Sequence, residues 1–160
     1  MAKLTVTREV PVRPEIAFDR WLAAYERLHE LYPEKIKSMK VIEWNGNERK
    51  TACVETWAGR DYAYTMAETL MPPGRVEQRI VEGRGKGSVG FWTFAEAPGG
   101  TKITVEQRIA GVEGLFLGVI FRGMFRRELE EGLARYARFI AQAPPEAPVA
   151  PASLRAKARA

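Results

Sequence analysis

The sequence predicts an α+β fold: a curved antiparallel sheet of about seven strands wrapped around one long C-terminal helix, with a short helical segment after the first strand. Three observations predict it. Strand-length segments with period-two alternation recur at hairpin spacing, separated by Gly, Pro and Asn turn signals. No helical periodicity interrupts them between the second and the last, so their neighbours pair antiparallel. The 3.6-residue period appears twice, once right after the first strand and once over about the last thirty residues before a Pro/Ala-rich end.

Length and composition agree with one folded domain. The chain has 160 residues, 46% of them apolar and 28% charged, which excludes a mainly disordered or collagen-like chain. The net charge is +5, basic but far from a dedicated nucleic-acid tail. A single cysteine, Cys53, and a single histidine, His29, exclude an intramolecular disulfide and any His/Cys-built metal centre. Neither a metal nor another cofactor is expected. No stretch is long and apolar enough to span a membrane and the first residues lack the apolar core of a signal peptide, so the expected location is the cytoplasm.

In order, Leu4–Val12 alternates as a strand, with Pro11 near its end. Pro14 then opens a helix at a first-turn position, where its missing N–H costs nothing. Phe18, Trp21, Leu22, Tyr25, Leu28 and His29 follow on one face, and Pro33 ends that helix or breaks it in two. Strands Met39–Trp44 and Thr51–Trp57 flank Asn45-Gly46-Asn47, a strong hairpin signal. Further turns at Gly59–Asp61, Pro72–Gly74, Gly83–Gly87 and Pro98–Gly100 mark off Tyr62–Leu70, Val76–Glu82, Val89–Ala95 and Thr101–Ile109. The sequence Val-Glu-Gln-Arg-Ile occurs at 76–80 and again at 105–109, but two copies do not make a repeat architecture.

The long helix is expected over Leu115–Ala143. Phe121, Phe125, Leu129, Leu133, Tyr136 and Ile140 share its broad apolar face. Its first half is apolar on the opposite face too, at Leu117, Val119, Ile120 and Met124, and this two-faced stretch Leu115–Phe125 makes a homodimer plausible. The domain is therefore read as 1–142. Residues 143–160 carry four prolines and end on Arg155, Lys157 and Arg159, and read as a flexible basic tail.

This layout resembles the START/Bet v 1-like superfamily, the SRPBCC or polyketide cyclase/dehydrase-type helix-grip proteins. Three features carry the likeness: Val12-Arg13-Pro14-Glu15 followed by Phe18 and Trp21–Leu22; Gly90-Phe91-Trp92-Thr93-Phe94 before Gly99-Gly100-Thr101-Lys102-Ile103; and Gly118, Phe121, Phe125 and Arg126–Leu129 in the last helix. These are packing motifs, and none is a catalytic signature. The resemblance covers about residues 3–142. It implies a cavity between the sheet and the C-terminal helix that takes a hydrophobic or amphipathic small molecule, without naming that molecule.

Strand alternation supplies the candidate lining. Tyr62, Tyr64, Met66 and Glu68 share a face, as do Trp92 and Phe94; Gln78 and Gln107 share faces with apolar neighbours. With Trp21, Tyr25, Phe121 and Phe125 from the helices, these form an aromatic interior with a few orienting polar groups, the usual make-up of a ligand pocket. The alternative is a filled core with its polar atoms mutually bonded. No residue is singled out as catalytic with any force. His29 and Glu68 are the candidates for proton transfer, His29 because its pKa can sit near neutrality and Glu68 if it points inward. Against this, His29 reads more readily as a capping or core-edge histidine and Glu68, if outward, as one surface charge among many.

Gly85-Lys86-Gly87-Ser88-Val89-Gly90 matches the dinucleotide fingerprint literally, but a strand follows it where the fingerprint needs a helix. Cys53 reads as an inert packing residue. The basic segment Lys35–Lys40 and Arg126-Arg127 read as solvated surface rather than as a nucleic-acid face, because the aromatics alternate as core does. The expected function is binding, for carriage or sensing, of a hydrophobic or amphipathic ligand. The alternatives are a cyclase/dehydratase-type enzyme acting on a polyketide-like substrate and a module docking on a membrane, ribosome or protein.

Overall fold

The computed structural model describes residues 2–111 and 121–142. Seven strands form one antiparallel sheet: β1 (Ala2–Val10), β2 (Ile36–Asn45), β3 (Glu48–Trp57), β4 (Arg60–Met71), β5 (Arg75–Gly83), β6 (Val89–Ala97) and β7 (Gly100–Ile109). Their order is β1-β7-β6-β5-β4-β3-β2. From β2 to β7 the sheet is a plain meander. Its two edges, β1 and β2, are consecutive in sequence, and the chain crosses from one to the other through α1 (Pro14–Glu26) and α2 (Leu28–Leu31). The last described element, α3 (Arg122–Gln142), lies against β1 and α1.

Local chemistry explains the boundaries. Pro14 occupies the start of α1 with Glu15 in its first turn, where proline lacks nothing and an acid meets the positive helix end. The expected break of this helix falls at Arg27 and not at Pro33: the backbone leaves helical geometry there, at φ −106° and ψ 13°, and α2 ends at Leu31. The first strand ends at Val10, just before Pro11. The β3–β4 hairpin turns on Ala58 and Gly59, both left-handed at φ 49° and 74°, the pairing that a two-residue turn needs to match strand twist.

Irregular register curves the sheet. Shifts interrupt β2–β3 at Ile36/Ser38 and Val41/Glu43, and β4–β5 at Thr65/Met66. Such bulges bend the bulged strand. Gly83 sits beside the last of these; a Cβ there would stand 2.4 Å from the Ala63 carbonyl oxygen, so only glycine allows the close approach.

The core fills the concave face. Trp21 of α1 is wholly buried and its ring meets those of Phe18, Tyr25, Trp92, Phe94 and Tyr136 at centroid distances of 5.1–6.4 Å. From α3, Leu133, Tyr136, Ala137 and Ile140 face inward. Arg20 donates to the Ile140 carbonyl oxygen at 2.6 Å, fastening α1 to α3. Phe121 departs from the expected inward stripe, being 40% exposed. Of the two-faced apolar stretch 115–125 on which the dimer expectation rested, residues 115–120 lie outside the described residues, as does the tail at 143–160; Met124, which is described, is 41% exposed. Val89–Ala97 is a strand, so the glycine-rich run 83–90 joins two strands and opens no helix.

Candidate functional site

Between the sheet, α1–α2 and α3 lies a cavity of about 320 Å³, at the small end of the range for small-molecule sites. Strand parity builds its sheet wall. Cys53 and Glu55 on β3, Tyr62, Tyr64 and Met66 on β4, Gln78 and Ile80 on β5, Trp92 on β6 and Gln107 on β7 all project from the concave face. Tyr25 closes it from α1 and Phe125, Leu129 and Tyr136 from α3.

Of the residues expected to face a ligand, Tyr25, Tyr62, Tyr64, Met66, Gln78, Trp92, Gln107 and Phe125 line this space. Trp21 and Phe94 do not; they are buried a layer behind it, in the aromatic core. Phe121 projects to solvent. His29 is also off the cavity. The break at Arg27 takes it off the buried stripe of α1, and its side chain is 42% exposed. Glu68 is inward and buried, but it backs the cavity instead of lining it.

Glu68 is held by three donors. Arg49 Nε reaches its Oε2 at 2.7 Å, the Thr51 hydroxyl donates to the same oxygen at 3.0 Å, and Gln78 Nε2 donates to Oε1 at 2.7 Å. Both members of the ion pair have side chains with no solvent exposure. Gln78 in turn accepts from Trp92 Nε1 at 2.9 Å. Arg49 lies over the rings of Tyr25, Trp44 and Trp21 at 4.2, 5.2 and 5.8 Å; these faces stand in for water around a desolvated guanidinium. Burial pulls Arg49 down, but Glu68 outweighs it and the group is held above its ordinary value. Burial first, and the Glu68 charge second, raise the Tyr25 and Tyr136 phenols well above theirs.

A second polar cluster sits at the outer end. Lys35 Nζ bridges Glu55 of β3 at 3.1 Å and Glu128 of α3 at 2.6 Å. The Tyr64 hydroxyl donates to Glu55 Oε2 at 3.2 Å, and burial with the Glu55 charge keeps that phenol protonated. Burial works against the Lys35 charge, yet the two carboxylates raise it on balance. Beside this cluster Trp57 stacks on Phe125 at 5.7 Å, and the Arg84 guanidinium lies 3.7 Å over the Tyr62 ring.

Arg49, Lys35, Glu55 and Glu128 are site residues that the sequence pattern does not single out. A strand starting at Thr51 would place Arg49 in the turn; the strand begins at Glu48. Lys35 belongs to a segment that reads as solvated surface, yet its side chain is only 20% exposed. The parity of Thr51 and Cys53 is the available signal for Glu55. Cys53 is buried, and burial pushes its thiol up to about 12. Among the described residues no cluster of His, Cys, Asp and Glu could hold a metal ion, and no helix is long and apolar enough to cross a membrane.

Residues 1–140 match the family described as polyketide cyclase / dehydrase and lipid transport. The chain belongs to this family. No curated protein matches the sequence. Solved structures share the fold at low identity. TTHA0849 from Thermus thermophilus is 18% identical, with a TM-score of 0.71 over 88% of this chain and 98% of that one. Ara h 8.0201 is 16% identical, with a TM-score of 0.63 over 87% and 94%. The di-domain ARO/CYC BexL, from the BE-7585A biosynthetic pathway, is 17% identical, with a TM-score of 0.68 over 89% of this chain; the match spans 50% of that protein. The expected helix-grip, Bet v 1-like architecture is thus the fold of this polyketide cyclase/dehydrase and lipid transport family member.

Proposed function

We propose that the protein binds a lipophilic small molecule in this cavity and carries or presents it unchanged. The observation that carries the reading is the state of the carboxylates around a mostly aromatic and aliphatic space. Glu55 and Glu128 share Lys35, and Glu68 is saturated by Arg49, Thr51 and Gln78. Each is committed to a protein partner, so the groups serve as structure around an apolar ligand. Burying about 300 Å² of such a ligand would contribute on the order of 7 kcal/mol before ordering costs.

One observation favours the rival, a cyclase-type enzyme: Tyr64 and Glu55 form a donor–acceptor pair facing the cavity. Native mass spectrometry of gently purified protein, followed by organic extraction, tests the first reading. A discrete lipophilic mass released on denaturation is the expected result. Tyr64→Phe then separates the two: a carrier keeps its affinity for the extracted compound, whereas an enzyme loses its conversion. Conversion of that compound by the wild type, abolished in Tyr64→Phe, would overturn carriage.

A further inference from the structure

We propose that the concave sheet face carries a seat for one uncharged polar group of the ligand, centred over Gly90 and gripped from both sides by the amides of Gln78 and Gln107. This rests on the cavity being the ligand site.

The two copies of Val-Glu-Gln-Arg-Ile are the starting point. They fall on β5 and β7, which both run antiparallel to β6 and therefore parallel to one another. Their registers on β6 coincide. Val76 and Val105 oppose Trp92 from either side, and Gln78 and Gln107 oppose Gly90. On the far side, Gln78 opposes Glu68 and Glu68 opposes Arg49. One polar row thus crosses the sheet from Arg49 through Glu68, Gln78 and Gly90 to Gln107.

Hydrogen bonds run along this row from Arg49 to Glu68 to Gln78 and then stop. Gln107 lines the cavity, and its amide bonds to no described residue. The interruption is Gly90. Its φ is not in the left-handed region, so the backbone does not require glycine there. A Cβ at this position would project to within 3.4 Å of Gln78 Oε1. The missing side chain keeps open the space between the two amides. Strand spacing puts their backbones about 9–10 Å apart, which leaves room for one small group.

The chemistry of that group follows. With Glu68 and Trp92 satisfied, Gln78 retains one N–H and one lone pair, and Gln107 spends none of its set on the described residues. Amides on both sides suit a ketone, an ester carbonyl or a hydroxyl. The row is already charge-balanced by Arg49 and Glu68, so a carboxylate or ammonium would find no counter-charge left within it. The flanking Val76–Trp92–Val105 row is apolar, and so are Ile80 and Ile109. The favoured ligand is a hydrocarbon framework with a neutral oxygen set into its body.

1-Tetralone and tetralin, which differ in one carbonyl against one methylene, test this by calorimetric titration of the wild type, Gln107→Leu and Gly90→Ala. In Gln107→Leu, tetralone binding should weaken about fivefold, one hydrogen bond's worth, with tetralin unchanged or tighter. Gly90→Ala should abolish the preference for the ketone by filling the seat, and thermal unfolding checks that both variants are folded. If both probes bind and Gln107→Leu leaves their ratio unchanged, the seat is overturned and the cavity reading stands. If neither probe binds the wild type, both fall.

Discussion

The cavity has two polar clusters, and they are built oppositely. The one behind its floor, Arg49 with Glu68, has one cation against one carboxylate, no solvent exposure, and two further donors on the carboxylate, Thr51 and Gln78. The one at its outer end sets one cation, Lys35, between two carboxylates whose side chains are 26% and 27% exposed. A buried pair is rigid because losing either member strands a charge in a low dielectric. A partly wet cluster can exchange partners at little cost. The floor cluster therefore fixes the shape of the sheet, and the outer cluster joins β3 to α3 by a bond that can open.

Removing one member of the floor pair is the largest expected effect. Glu68→Leu or Arg49→Leu should each cost about 3–5 kcal/mol in urea unfolding, and the double replacement far less than the sum. Additive losses would show that the two residues act independently. Lys35→Met should cost only about 1–2 kcal/mol, because solvent screens the two carboxylates it leaves facing each other.

The same comparison has a pH signature. The folded-state pKa of Lys35 is raised, so its contribution is complete below the unfolded value of about 10.4 and is lost as pH rises through the folded one. Wild-type stability should fall on that alkaline limb more steeply than that of Lys35→Met; equal slopes would remove Lys35 as the cause.

Smaller effects sharpen the picture away from both clusters. Ala58→Asn should stabilise by about 0.5–1 kcal/mol, since a non-glycine residue at φ 49° is strained and asparagine tolerates that region better. With its thiol held at about 12, Cys53 should resist alkylation by iodoacetamide at pH 8 in the native protein and react in urea.

The meander from β2 to β7 and the alternation of its strands were legible because hairpin spacing and parity are local. Tyr62, Tyr64, Met66 and Glu68 fall on one face whatever the sheet does elsewhere. What local pattern could not show is partnership. Arg49 reads as a charge beside a turn until the ladder sets it opposite Glu68. Lys35 reads as one of several surface lysines until α3 brings Glu128 to it from 93 residues away. His29 fails for the opposite reason: its place on the buried stripe needs a continuous helix through Arg27, where a single non-helical residue rotates everything after it. The paired Val-Glu-Gln-Arg-Ile segments are visible in the sequence, but their common registration on β6 needs the whole sheet.

The pairing of β1 with β7 also has a consequence for synthesis. Ala2 lies opposite Ile109, and α1 is fastened to α3 through Arg20 and Ile140. On the ribosome the meander can zip up hairpin by hairpin, while the first strand and helix wait for partners over a hundred residues downstream. At about 5–20 residues per second, that wait is roughly 5–20 seconds. Throughout it the rings of Phe18 and Trp21 lack their final neighbours, so this stretch of the nascent chain stays sticky until the cavity closes.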